Sequence, residues 1–203
     1  MRIVISAPRA RFPDPSERGR TYPAITPSAA KGVLDAIWWH PQITWVVDRI
    51  VVLNPIRTET VMQARMKNQT TGQLSIDSVE TLTDVAYGIE AHFERTRRWN
   101  QPGTDGRPYT EGKVLGIVSR RIRQGRHQAY LGSPEFPAAI EQVEKFPPSH
   151  YHGTTMDIKG LPFGHGDVQH VPMTNGIIDI REPDARKSRK DRRAQTAKTT
   201  QDR

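Results

Sequence analysis

A helix and a strand follow one another directly in residues 26–53, TPSAAKGVLDAIWWHPQITWVVDRIVVL. Thr26 is a typical N-cap, and Pro27 suits the first helical position because its missing N–H has no partner there. Apolar residues then recur at helical spacing until Pro41 stops the pattern, which predicts a helix over 27–39. The remaining residues of the stretch are rich in β-branched side chains, so they predict a long strand.

Further strand and helix signals flank this stretch. A short strand is predicted at residues 2–5, and a polar excursion over 57–83 is interpreted as a hairpin arm. Residues 84–94 alternate apolar and polar side chains, as a half-buried strand does. A second helix begins after Thr110, and a short strand follows at 128–131. The order strand, helix, strand, strand, helix, strand predicts an α+β protein with the ferredoxin-like βαββαβ topology.

The chain divides into three parts. We predict a ferredoxin-like domain over 1–132, a small β-rich appendage over 133–180 and a disordered tail over 181–203. The tail holds nine basic and four acidic residues and has almost no apolar content. Such a segment cannot bury enough surface to offset the entropy of ordering it. It either attracts a polyanion or serves only as a solvated tail, and both interpretations stay open.

The composition excludes several classes of protein. The chain has no cysteine, so disulfide scaffolds, cysteine-ligated metal centres and thiol nucleophiles are excluded. No run approaches the ~18 apolar residues that a membrane span needs, so we expect a cytoplasmic protein that does not enter a membrane. The formal net charge is +8, which favours an anionic partner.

Two groups of basic residues are candidates for binding RNA. One group follows the third core strand, and the other lies at the end of the second helix. Arginine binds phosphate through permanently charged, forked donors, and a neighbouring aromatic ring can stack an unpaired base. The alternative for the helical group is a solvated helix end that favours the helix dipole. The candidates are Arg95, Arg97, Arg98, Trp99, Arg120, Arg121, Arg123 and Arg126.

No metal or cofactor site is predicted. Four histidines and two aspartates lie in a loop-rich stretch, but their spacing matches no compact ligand pattern. They are His150, His152, Asp157, His165, Asp167 and His170. His40, at the predicted end of the first helix, is either an acid–base group or a capping residue.

Four segments carry a resemblance to a known family. They are TYPAITPSAAKGVLDAIWWHP (21–41), WVVDRIVVLNPIR (45–57), DVAYGIEAHFE (84–94) and YLGSPEFP (130–137). In this order they resemble the CRISPR-associated Cas-five family in its type I-C form. The resemblance covers residues 2–138, and its first and third segments are the most specific.

The resemblance implies a RAMP-type protein with a ferredoxin-like body. It implies a subunit of the Cascade surveillance complex that holds the repeat-derived 5′ handle of crRNA. The implied partners are pre-crRNA, the large and backbone subunits of the complex, and target DNA through that complex. In type I-C systems this subunit also cuts pre-crRNA without a metal, by attack of a ribose 2′-OH on the adjacent phosphate. That reaction needs a base, an acid and a cation on the phosphate.

The site residues of the family are only partly present. By resemblance, Lys113 is the phosphate cation, while Trp38 and Val114 occupy the proton-transfer positions and cannot transfer protons. His40 or Tyr22 would have to replace a lost group. Three interpretations stay open: a metal-independent repeat endoribonuclease, a non-catalytic RNA cap, and a general RNA-recognition module outside CRISPR systems.

Overall fold

The computed structural model describes residues 1–68, 73–103, 106–125, 127–163 and 167–181. Two helices and nine strands make up this part of the chain. In chain order they are β1 (Arg2–Ala10), α1 (Pro27–Ile37), β2 (Ile43–Val52), β3 (Thr58–Asn68), β4 (Gln73–Arg95), α2 (Glu111–Gln124), β5 (Ala129–Tyr130), β6 (Pro137–Gln142), β7 (Thr155–Phe163), β8 (Asp167–Thr174) and β9 (Ile177–Asp179). The predicted α+β class is confirmed.

Local sequence signals determine where both helices begin and where α2 ends. The Thr26 side chain accepts the N–H of Ala29 at the start of α1, and Thr110 accepts the N–H of Lys113 at the start of α2. Gly125 ends α2 in the left-handed conformation, with φ of 58°, which glycine adopts at little steric cost. Helix α1 is two residues shorter than predicted, because the backbone is already extended at Trp38.

The described strands form one sheet in the order β5-β6-β1-β4-β2-β9-β8-β7, with β3 paired to β4 outside this path. Every described pair of neighbours is antiparallel. Strand β4 has 23 residues. It pairs first with β3, in a two-stranded arm, and then with both β1 and β2. The turn predicted near 71–72 lies outside the described residues.

The strand predicted at 128–131 differs from the observed one. Strand β5 has only two residues, and the strand that pairs with β1 is β6, which contains Pro137 and only weak alternation. The sequence of β6 is only weakly typical of a strand, but the free edge of β1 supplies its hydrogen bonds. The range 133–180 therefore contributes strands next to two different core strands. Strand β6 pairs with β1, and β9 pairs with β2 on the other side of β4. Residues 182–203 of the predicted tail lie outside the described part.

The two helices pack on one face of the sheet. Helix α1 buries Ala30, Val33, Leu34 and Ile37, and α2 buries Val114, Val118 and Ile122. Alternate residues of β4, including Tyr87 and Ile89, are buried in the same core, as the sequence pattern predicts. No described helix is long and apolar enough to cross a membrane.

The connection between β6 and β7, residues 143–154, is here called the crossing segment. It begins beside β1, where Val143 N–H donates to the Arg2 carbonyl at 3.1 Å. It then passes β4, where the Phe146 ring lies against Gly88 so closely that a Cβ at Gly88 would be 2.6 Å from it. It reaches the end of β2 where His150 N–H donates to Leu53. Because Gly88 points away from the helices, the segment crosses the helix-free face.

Candidate nucleic-acid interface

Several elements meet where α1 ends, at residues 37–42, here called the junction. Arg121 of α2 donates from Nη1 to the Ile37 carbonyl at 3.0 Å, which satisfies a carbonyl that the helix leaves without a partner. Trp45 of β2 donates from its indole to the Trp38 carbonyl at 2.9 Å. The junction is therefore fixed both to the second helix and to the sheet.

The basic loop after β4 is attached to the other end of the junction. The Thr96 hydroxyl donates to the Pro41 carbonyl at 2.7 Å. The side-chain amide of Gln42 donates to the Gln101 carbonyl at 2.6 Å. These bonds hold two exposed cations of the loop beside the junction, and they are Arg97 and Arg98.

An aromatic cluster brings two of the predicted site residues together. The ring of Tyr109 lies 4.8 Å from the ring of His40 and 5.7 Å from that of Trp38. Lys113 Nζ lies 4.7 Å from the centre of the same Tyr109 ring, where the ring quadrupole attracts a cation. His40 and Lys113 are both half-buried. His40 and Lys113 thus share Tyr109 as a neighbour, and both residue types can donate hydrogen bonds to a phosphate group.

The environment of His40 favours the neutral imidazole. Burial lowers the pKa of His40 below its ordinary value, because desolvation disfavours the charged ring. Its Nδ1 lies 3.4 Å from the backbone N–H of Gln42, which donates to it. The neutral ring therefore carries its proton on Nε2 and can donate a hydrogen bond from that atom.

The ring of Trp99 has two close neighbours. Phe93 stacks on it at 6.0 Å between ring centres, and the Arg95 guanidinium carbon lies 4.9 Å from the ring centre. Arg95 is also paired with Glu111 at 2.6 Å. The predicted platform at Trp99 is therefore half-buried and already in contact with side chains of its own strand and loop.

The arginines of α2 have different surroundings. Arg120 and Arg123 are exposed, while Arg121 is exposed but bonded to α1. Arg126 lies outside the described residues. The three described arginines give the end of α2 a cationic surface next to the junction.

Two of the residues considered for proton transfer lie elsewhere. Tyr22 precedes α1 and is buried, whereas His40 follows α1, so the length of the helix separates them. Burial and the neighbouring Asp14 raise the pKa of Tyr22. Val114 is fully buried in the core, and its side chain makes no part of the surface at which His40 and Lys113 lie.

The helix-free face of the sheet is a poor phosphate surface. Its centre is crossed by residues 143–154, and acidic side chains lie on it, each paired with a neighbouring side chain. Asp48 lies 2.9 Å from the ring of His92, and Glu90 lies 2.9 Å from Arg2. The junction side, where exposed arginines and Lys113 accumulate, is more favourable for a polyanion.

Sequence reasoning missed Tyr109 and Gln42. Tyr109 stands directly before the N-cap of α2, a position at which an apolar residue often packs against its own helix, and this was the available signal. Gln42 carries no such signal, because its role depends on the loop that β4 brings to it. Among the residues that the structure describes, no group of three or more His, Asp or Glu side chains could hold a metal ion.

Comparisons with known sequences agree on one family. The family model described as CRISPR-associated protein (Cas_Cas5) matches residues 3–201. The CRISPR pre-crRNA endoribonuclease Cas5d of Mannheimia succiniciproducens is 31% identical over 195 residues, which cover 79% of this chain and 84% of the relative. The protein of the same description from Thermus thermophilus is 33% identical over 127 residues, which cover 58% of this chain and 52% of the relative.

Solved structures show the same fold. One is described as a CRISPR-associated protein and superposes with a TM-score of 0.66 at 24% identity, covering 91% of this chain and 92% of the other. A functionally uncharacterized protein, SMU1763c from Streptococcus mutans, superposes with a TM-score of 0.65 at 25% identity, covering 89% of this chain and 91% of the other.

Proposed function

Because the chain belongs to the Cas5d family of CRISPR-associated proteins, the type I-C form of the Cas-five family, we propose that it binds and processes the repeat RNA of a CRISPR defence system. The observation that carries the catalytic part is the meeting of His40 and Lys113 at Tyr109. The basic loop and the arginines of α2 lie around them and would hold the sugar–phosphate chain.

The proposed reaction is attack of a 2′-OH on the adjacent phosphorus. The P–O5′ bond breaks, which leaves a 2′,3′-cyclic phosphate on one product and a 5′-hydroxyl on the other. Lys113 stabilises the negative charge that develops on the phosphoryl oxygens, and His40 donates from Nε2 to one of them. The proton of the 2′-OH passes to solvent, and the leaving O5′ takes a proton from solvent.

This assignment predicts a slow enzyme. A positioned acid or base typically contributes ~10²–10⁴-fold in rate, and neither Trp38 nor Val114 can supply one. The same observation favours the second candidate function, a non-catalytic cap that only holds the 5′ handle of crRNA. In either case we propose that the protein acts in the cytoplasm as a subunit of Cascade, beside its large and backbone subunits, and meets target DNA through that complex.

We also propose that the core has the ferredoxin-like topology. Strands β6, β1, β4 and β2 are neighbours in this order and antiparallel, while α1 connects β1 to β2 and α2 follows β4 along the chain. This arrangement supports a split βαβ unit of the RAMP type.

Purified full-length protein, incubated in EDTA with the repeat transcript of its own CRISPR array, tests the proposal. We expect tight binding and one cut within the repeat, with a cyclic phosphate and a 5′-hydroxyl at the ends. Binding without any cut would leave the cap function. Failure to bind the transcript even in dilute buffer, together with failure to join the other Cascade subunits around it, would overturn both.

Replacing Arg120 and Arg123 together by alanine should weaken binding of the repeat RNA and make it less dependent on salt. Each lost phosphate contact lowers the slope of log K against log salt by about 0.7–0.9, so we expect a decrease of about 1 to 2 units. Fluorescence anisotropy over a series of salt concentrations measures it. The matched control replaces Arg2 and Arg49, which pair with Glu90 on the helix-free face. An equal loss of slope in the control would exclude a specific phosphate surface on α2.

A further inference from the structure

The four tryptophans of the chain differ in whether their rings are open. Trp38 and Trp45 are buried, and Trp99 is half-buried in contact with Phe93 and Arg95. Trp39 is 64% exposed. Trp39 is therefore the most exposed of the four indoles and the one most accessible to a stacked ring.

The direction of Trp39 follows from the backbone of the junction. Trp38 is extended, with φ of −161° and ψ of 112°, so successive side chains point to opposite sides. Trp38 and His40 stack on each other on one side, which leaves the indole of Trp39 on the other side. Trp39 therefore lies on the opposite side of the junction backbone from His40, one residue away along the chain.

The surroundings of Trp39 are cationic. Arg121 is bonded to the carbonyl of Ile37, two residues before Trp39. Arg97 and Arg98 lie on the loop that is hydrogen-bonded to the other end of the junction. An exposed indole on the same junction as these cations suits a nucleobase, because guanidinium groups can bind the phosphates of a strand while one of its bases covers the ring.

We propose that Trp39 is the stacking platform for an unpaired base of the repeat RNA, one residue along the junction from His40, which with Lys113 would hold a phosphate. This inference rests on the proposed RNA-binding function. It adds a residue that fixes the position of one nucleotide on the protein by stacking on its base. Stacking on an open indole tolerates every base, so the platform determines which nucleotide lies beside the cut rather than which base it carries.

A cycle of protein and RNA variants tests the platform. Full-length wild type, Trp39→Phe and Trp39→Ala are titrated with the repeat transcript and with transcripts that each lack one base. We expect Trp39→Ala to weaken binding of the intact transcript about 10-fold or more, and Trp39→Phe to keep most of the affinity. For one abasic transcript, wild type and Trp39→Ala should bind with equal affinity, because the base that stacks is missing. The slope of log K against log salt should be the same for both proteins, because no phosphate contact is lost.

The controls separate the platform from other roles. Met156→Ala removes an exposed apolar side chain of β7 and should leave binding unchanged. If Trp39→Ala binds RNA as tightly as wild type, the stacking role of Trp39 is wrong, although RNA binding by the protein stands. The same holds if the variant loses only its association with another subunit. A loss that is the same for every abasic transcript would also overturn the stacking role. A wild type that does not bind the transcript would overturn the proposed function itself.

Discussion

Replacing Lys113 by alanine is expected to abolish measurable cleavage of the repeat transcript while leaving most of the binding intact. Lys113 Nζ is held at the Tyr109 ring beside His40, in a half-buried position where a cation is worth more than in bulk water. Removal of one group that stabilises charge in the transition state lowers the rate by about 10²–10³. Single-turnover cleavage with the enzyme in excess measures this rate, and anisotropy measures binding.

The matched control for this change is Lys113→Arg. Arginine keeps the positive charge but has a different shape, so we expect partial activity, well above that of the alanine variant. Wild-type rates in Lys113→Ala would exclude the phosphate-binding role. A parallel loss of affinity and rate would instead show that Lys113 contributes to ground-state binding.

Replacing His40 by alanine is the second change with a large expected effect, again about 10²–10³ in rate. The lowered pKa keeps the ring neutral near pH 7, with the Nδ1 atom facing Gln42 N–H and the proton on Nε2. His40→Gln retains an N–H donor but cannot titrate. We therefore expect His40→Gln to recover part of the rate that His40→Ala loses, as measured in the same single-turnover assay.

The pH dependence distinguishes a hydrogen-bond donor from an acid or a base. If solvent removes the 2′-OH proton, the wild-type rate rises about tenfold per pH unit above the pKa of His40, since each unit is a tenfold change in hydroxide. A plateau above that pKa, together with equal losses in His40→Gln and His40→Ala, would identify His40 as a general base instead. An unchanged rate in His40→Ala would remove it from the reaction.

The sequence predicts the local elements well because their signals are local. Thr26 and Thr110 cap the helices as predicted, and the alternation of 84–94 gives the buried face of β4. The strand β6 was missed because its pairing depends on the free edge of β1, which lies far away along the chain. A segment with little strand propensity that forms a strand only by pairing with a distant partner cannot be recognised from its own residues.

The site was predictable only in part. His40 is a candidate from its position at the end of the first helix and Lys113 from the family resemblance, but their common contact with Tyr109 arises when α2 packs beside the end of α1. The contacts of Trp99 with Arg95 and Phe93 depend in the same way on packing, because these residues precede it on β4 and reach its ring only where the chain turns back after the strand. Spacing along a sequence gives residue types and local directions, whereas such contacts depend on how the elements pack.

The route of residues 143–154 has a consequence for how the molecule is assembled. Phe146 can settle on Gly88 only after β4 has been placed between β1 and β2, and β9 needs the finished edge of β2. Formation of contacts so distant in sequence requires that the entropy of closing long loops be overcome first. We therefore expect β7, β8 and β9 to join the sheet after β1, β2 and β4 have paired, an order that hydrogen exchange during refolding would reveal.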